Sequence, residues 1–276
     1  MLQGVMLLWF LLTAVSVVFV AIDIVKTPES TVLKWGFVLI TAYIGPVGAF
    51  LYVLGCREPL PGLHKQYTSH RWRQVLGSTM HCVSGDGLGI LVGAVIGGLI
   101  HFSRPLEIGL EYLLGFGFGW TIFQALFMKD TAGGSFLKAL KKTFIPELVS
   151  MNYLMAAMVV VMSFGMKMIP DSNNPLTMGF WFVMSMSLLT GFVFAYPVNW
   201  WLVSNNLKHG MMTVRPAGTA HNIEKQGGSN AKHGLDMNTH STDMQTARVS
   251  TTSLVLTVVM SFIVFGIGIG VAFAWG

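Results

Sequence analysis

Thr-Met-His-Cys-Val-Ser-Gly-Asp-Gly-Leu-Gly-Ile-Leu-Val-Gly-Ala-Val-Ile-Gly, residues Thr79–Gly97, opens a membrane-length apolar stretch that nevertheless carries His81, Cys82 and Asp86. Gly85, Gly89, Gly93 and Gly97 recur four residues apart. On a helix turning about 100° per residue, Cys82, Asp86 and these four glycines share one narrow face. Polar groups are costly in hydrocarbon, so this face is expected to point into protein. The glycines would let a second helix approach closely.

Composition sets the class. The AVILMFWYC residues make up 53% of the 276-residue chain and charged residues only 11%, against roughly 25% charged in soluble proteins. This is a membrane composition, with room for about seven spans of ~20 residues. The formal charge of +5 reads as basic loops on the inner side rather than as a nucleic-acid surface. Two cysteines, Cys56 and Cys82, make no disulfide framework. No cleavable signal peptide is evident, and the first apolar segment reads as a span.

The pattern predicts an all-α transmembrane bundle with spans at 4–22, 32–55, 75–101, 106–128, 148–168, 176–203 and 252–275. Residues 1–56 form two N-terminal helices, and 57–203 a four-helix core with basic loops. Residues 204–249 are a polar linker rich in Gly, Asn, Thr and His, and 250–276 a last helix. Gly45-Pro46 predicts a kink inside the second span. The basic stretch between Lys129 and Phe144 suits the headgroup region. With seven spans, Lys26, Lys34, Arg104 and Lys167 fall on one side and the other thirteen of seventeen basic residues on the opposite one. The positive-inside rule then puts the N-terminus in the cytoplasm and the C-terminus outside. No internal repeat supports an inverted-repeat transporter.

Five stretches bear on chemistry. Cys82 and Asp86 lie one turn apart and can face one partner, with His81 about 100° away from Cys82. Thiolate and imidazole suit zinc and copper(I), and a carboxylate can complete a site. The competing reading makes Cys82 a small core residue and Asp86 a hydrogen-bonding partner of another helix. Second, Glu147, Met151, Met155, Met158, Met162 and Met166 fall within one arc of a helix. Thioethers suit copper(I), so the stripe could line a soft-metal path with an acid at its inner end. Methionine is equally a core filler. Third, Tyr196-Pro-Val-Asn-Trp-Trp-Leu-Val203 is followed by Lys208-His209-Gly210-Met211. Its tryptophans suit the interface, and Asn199 can satisfy the carbonyl freed by Pro197 or bond another helix. Fourth, His64, His70, His81, His209, His221, His233 and His240 fall on the predicted inner side; the four from His209 onward are irregularly spaced and read as solvated linker residues or weak metal capture. Fifth, Glu107 and Glu111 sit near His101, Arg104 and Lys167 at the outer end, as a gate, a relay or an ion-pair cluster. There is no nucleotide motif, no catalytic triad and no Cys-x-x-Cys.

His81-Cys82-x-x-Gly85-Asp86 together with Pro197-x-Asn199-x-Trp201-Leu202-Val203 and Lys208-His209-Gly210-Met211 resembles a bacterial integral membrane family, domain of unknown function 4396, over about residues 72–212. The resemblance implies a bacterial inner-membrane protein and brings no activity with it. The helices outside that range and the histidine-bearing linker would be additions.

The sequence therefore leads to transport or handling of a small cation. A soft transition metal is the first choice, copper(I) before zinc, with Cys82, His81 and Asp86 as inner site and Glu147, Met151, Met155, Met158 and Met162 as path. The alternative is a membrane assembly protein without a substrate, in which Asp86 and Asn199 are helix–helix glue and the partner is another membrane protein or a second copy. An enzyme is the weaker expectation.

Overall fold

The computed structural model describes residues 1–60, 62–128, 134–210 and 250–275. Within them the chain is all helical, with no strand. Five helices are long and apolar enough to cross a membrane. They are α1 (Leu2–Asp23, prolonged by a 3₁₀ turn to Lys26), α5 (Arg71–Ile100), α8 (Phe136–Met168), α9 (Met178–Ser204) and α10 (Thr251–Trp275). Shorter elements are α2 (Thr31–Ile44), α3 (Pro46–Gly55), α4 (His64–Thr68), α6 (Arg104–Phe118) and α7 (Leu126–Met128). Between α6 and α7 the helix continues as a π-helical segment, Gly119–Ala125. Most of the linker expected at 204–249, with His221, His233 and His240, lies outside the described residues.

The expected span 32–55 is not a kinked crossing. Gly45 adopts φ +63° and ψ −143°, a conformation open to glycine and closed to most other residues. Pro46 then starts α3 with its φ already set for a helix. The chain reverses there. Tyr52, near the end of α3, donates its hydroxyl to Asp23 at 2.8 Å and lies 3.0 Å from the Thr27 hydroxyl. Arg57 pairs with the same Asp23 at 2.9 Å. Gly55 packs on Leu76 near the start of α5, while Gly45 at the tip packs on Trp9 and Thr13, in the middle of α1. In α2, Gly36 faces His81 and Ser84, and farther along Tyr43 faces Gly87, so α2 runs parallel to α5. The pair α2–α3 is thus a re-entrant hairpin that enters and leaves at the end where α1 finishes and α5 begins. A short hairpin reaches only part of the way. Beyond its tip a cavity of about 590 Å³ opens among Phe10, Tyr43, Leu91, Trp181 and Met184.

The basic stretch before Phe144 also differs from expectation. Lys138, Lys141 and Lys142 are exposed, but they belong to the first turns of α8, which runs unbroken through Pro146 to Met168. Ser135 caps that helix by accepting from the Lys138 amide at 3.4 Å.

Helix α5 is the hub. More than half of its apolar window is buried, as in α8 and α9, against 11% for α1 and α10, which form the exposed apolar rim. Its glycines lie against the helix that starts at α6: Gly85 on Gly119 and Phe123, Gly89 on Leu114 and Gly115, Gly93 on Glu111, Gly97 on Glu107. A side chain at Gly85, Gly89 or Gly93 would collide with backbone or with a packed ring, and one at Gly97 with the Glu107 side chain. On the far flank, α10 is tied to α8 by a bond from Asn152 to Ser261 at 3.0 Å, and Phe265 stacks on Tyr112 at 5.1 Å.

Two outcomes follow. Gly89→Ala should destabilise the protein by about 1–3 kcal/mol, the usual cost of overpacking, whereas Gly109→Ala, with nothing within 4 Å of the added carbon, should leave the thermal midpoint in detergent unchanged. Cysteines introduced at Lys26 and at Lys65 should react with an impermeant thiol reagent from the same side of the membrane, since Cys56 and Cys82 are themselves buried. Labelling from opposite sides would mean that residues 32–55 do cross.

Candidate functional site

The face read from Thr79–Gly97 meets three other segments. Cys82 and Asp86 come from α5, Glu147 and Ser150 from α8, Asn199 from α9, and Lys208 from the turn after α9. Cys82, Asp86, Glu147, Ser150 and Asn199 are fully buried, and Lys208 is 7% exposed. One ligand atom each of Cys82, Asp86 and Glu147 lies within 4.8 Å of the others.

The polar contacts form one network. Cys82 Sγ is 3.2 Å from Ser150 Oγ, 3.3 Å from Glu147 Oε1 and 3.4 Å from Asp86 Oδ2. Lys208 Nζ donates to Glu147 Oε2 at 3.0 Å. Asn199 Nδ2 donates to Ser150 Oγ at 2.9 Å and to the Ala195 carbonyl at 3.0 Å. Asn199 therefore ties α9 to α8 and bonds its own turn, without reaching the carbonyl freed by Pro197. Among the described residues Asp86 Oδ1 has no hydrogen-bond partner. It points at the π-helical segment, where the α-carbon of Gly119 leaves it room; a Cβ at Gly119 would overlap Asp86 and come within 2.8 Å of Glu147 Oε1. π-Helical insertions are rare and gather at functional sites. Here the insertion brings a glycine opposite two carboxyl groups.

Charge is the governing term. Two carboxyl groups, one thiol and one ammonium share a space without bulk water. With both carboxyls ionised the group is one positive charge short, so a proton or a further cation is needed for neutrality. Lys208 lies outside the spanning helices. Burial works against its ammonium, but the acidic groups of the site outweigh this and its pKa is raised.

His81 stands apart from this group. Its ring meets Phe123 edge-on at 5.7 Å, and with Gln124 and His209 it lines a small void below the site. His209 has its pKa lowered by burial and by the neighbouring Lys142. Met151, Met155, Met158 and Met162 are fully buried in the apolar core. Met151 packs at Gly115, and Met158 at Gly191 of α9. The stripe is thus enclosed by packed side chains, and none of its sulfurs bonds to the Cys82 network. Met166, farther out, accepts from Arg104 at 3.5 Å. At that far end of the bundle Arg104 pairs with Glu107 at 2.9 Å beside a cavity of about 470 Å³. Glu111 lies deeper, buried against Gly93, with neither oxygen hydrogen-bonded among the described residues.

Sequence reasoning placed Lys208 in a solvated loop. The structure turns it inward. The signal was there, because Lys208 belongs to one of the motifs behind the family resemblance. Ser150 and Gly119 had no such signal: a serine in an apolar span and a glycine in a glycine-rich helix are unremarkable until the neighbours are known.

None of the curated proteins and none of the solved structures matches this chain. A family model, Domain of unknown function (DUF4396), matches residues 71–208. That range begins with α5 and ends on Lys208, so it holds every residue of the Cys82 network and excludes α1, the re-entrant hairpin and α10. The chain belongs to this family, Domain of unknown function (DUF4396).

Proposed function

We propose that this is a multi-pass protein of the bacterial inner membrane that handles a small cation at the Cys82–Asp86–Glu147 group, with a soft transition metal, copper(I) before zinc, as first choice. The observation that carries the reading is Lys208. Its ammonium, delivered on a flexible stem, sits at the edge of a fully buried cluster of two carboxyls and a thiol. It is a tethered cation in a site built for positive charge. An incoming ion would take Cys82, Asp86 and Glu147 as ligands and assume the charge-compensating role that Lys208 has without it. The thiol favours a soft or borderline ion. Lys208 and the metal would then alternate, and the mobility of the lysine stem would set access from the side of Gln124 and His209.

The topology that goes with this reading has six crossings. They are α1, α5, the continuous helix from α6 through α7, α8, α9 and α10, with α2–α3 as a re-entrant element. Among the described residues, Arg104 and Lys167 lie at one face and the other ten basic residues at the opposite face. The positive-inside rule makes that basic face cytoplasmic. Both described ends, Met1 and Trp275, then lie outside, a change for the N-terminus from the seven-span expectation. The Cys82 group lies nearer the cytoplasmic face, about 16 Å along α5 from Arg71 at 1.5 Å per residue.

Two measurements bear on this. Metal analysis of purified protein should show bound copper or zinc in the wild type and in Met155→Leu, and a loss in Cys82→Ser; equal content in all three ends the soft-metal reading. Lys208→Met should lower the thermal midpoint of metal-free protein, because Glu147 loses its partner. Added metal should restore that midpoint by more than it raises the wild type, where the lysine competes. A metal effect no larger in Lys208→Met than in wild type would show that the two cations do not share the site.

A further inference from the structure

We infer that Glu29, Cys56 and His64 form a second metal site, of zinc(II) type, that clasps the mouth of the re-entrant hairpin. The site shares no residue with the Cys82 network and does not rest on the function proposed for it. It also lies outside residues 71–208, so the family match says nothing about it.

Three separate segments supply the ligands. Glu29 is in the turn before α2, Cys56 ends α3, and His64 begins α4. Glu29 is 6% exposed and the other two are fully buried. One ligand atom of each lies within 4.8 Å of the others. His64 Nε2 is 3.6 Å from Glu29 Oε1 and 3.0 Å from the Cys56 carbonyl. The ligand–ligand edges of a tetrahedral zinc site with bonds of 2.0–2.3 Å are about 3–4 Å, so the three side chains need to close by little.

The surroundings hold these groups in place. The Cys56 amide bonds the Tyr52 carbonyl at 2.9 Å. Glu58 accepts from the amides of Gly62 and His64 at 2.8 and 3.3 Å, fixing the turn that presents the imidazole. Thr68 donates back to the His64 carbonyl at 2.9 Å. Neither carboxylate oxygen of Glu29 has a hydrogen-bond partner of normal geometry among the described residues. A buried carboxylate left this way is costly, and either a proton or a cation relieves it.

Donor chemistry and charge select the ion. Thiolate, imidazole and carboxylate are the three ligand types zinc takes, and three protein ligands leave a fourth position for water. A divalent ion with one thiolate, one carboxylate and a neutral imidazole is electrically neutral, as a buried site requires. Here the two clusters differ. Lys208 already brings a positive charge to Glu147, whereas no lysine or arginine pairs with Glu29 among the described residues; the nearby Lys34 donates to the Val25 carbonyl at 2.9 Å. In the second cluster the basic group beside Glu29 is the His64 imidazole, at 3.6 Å, and a divalent ion would balance thiolate and carboxylate together. A metal there would join both strands of the hairpin and the segment leading to α5, which no single hydrogen bond does.

Cobalt(II), a spectroscopic stand-in for zinc, tests this on the full chain in detergent. After chelation and dialysis, titrated cobalt should give a thiolate-to-cobalt charge-transfer band in the near ultraviolet in the Cys82→Ser protein, where Cys56 is the sole thiol. Zinc should abolish the band by displacement. In that same Cys82→Ser background, Cys56→Ser should lose the band. Glu29→Gln, which keeps volume and leaves the thiol, should weaken cobalt binding by more than the ~10–100-fold typical of losing an outer partner, and it serves if Cys56→Ser does not fold. A band that vanishes with Cys82→Ser and survives Cys56→Ser overturns the proposal while sparing the function proposed above. No band in either single variant overturns it too.

Discussion

An ammonium and a carboxylate placed together away from water set the terms for the rest of this bundle. Lys208 and Glu147 meet at 3.0 Å with both side chains almost wholly buried. Neither charge tolerates that environment alone, and removing one partner of such a pair typically costs about 3–5 kcal/mol. The pair can exist only if α5, α8 and α9 enclose it and the turn after α9 folds back beneath them. Ser150 and Asn199 add hydrogen bonds between those helices.

Enclosure depends on how closely the helices pack. The glycines of α5 bring the opposing helix to backbone contact, from Gly85 through Gly93. The π-helical turn at Gly119–Ala125 then adjusts the register so that a residue without a side chain faces Asp86 and Glu147. Small residues at a helix seam are the usual means of close approach in a membrane. In this protein the same seam makes room for acid groups, so packing and chemistry draw on one set of residues.

The architecture was legible in the sequence to the extent that hydrophobic length and period carry it. Helices α1, α5, α8, α9 and α10 appear close to where the apolar runs place them, because each is long, apolar and bounded by polar residues. Residues 32–55 misled for a physical reason. Their apolar length equals that of a crossing, and Gly45-Pro46 is as compatible with a kink as with a reversal. The deciding contacts, Tyr52 to Asp23 and Gly55 to Leu76, are long-range and invisible to a local pattern. The convergence of Cys82, Asp86 and Glu147 was legible as a question, from helical spacing and the cost of acids in lipid. Lys208 was legible only as part of the family motif, since a lysine beyond a helix end otherwise reads as part of the polar linker. Glu29, Cys56 and His64 meet only because the hairpin returns, so their grouping could not be read before its path was known.

The account stands on the Glu147–Lys208 pair being a buried, mutually dependent unit, and a double-mutant cycle measures that most directly. Unfolding free energies of wild type, Glu147→Gln, Lys208→Met and the double variant, in metal-free detergent solution, give the coupling. Both single variants should be destabilised by about 3–5 kcal/mol, and the double variant should recover most of the loss because no charge is left stranded. Single losses that are small and simply add would contradict the account, placing the lysine in water and the site open.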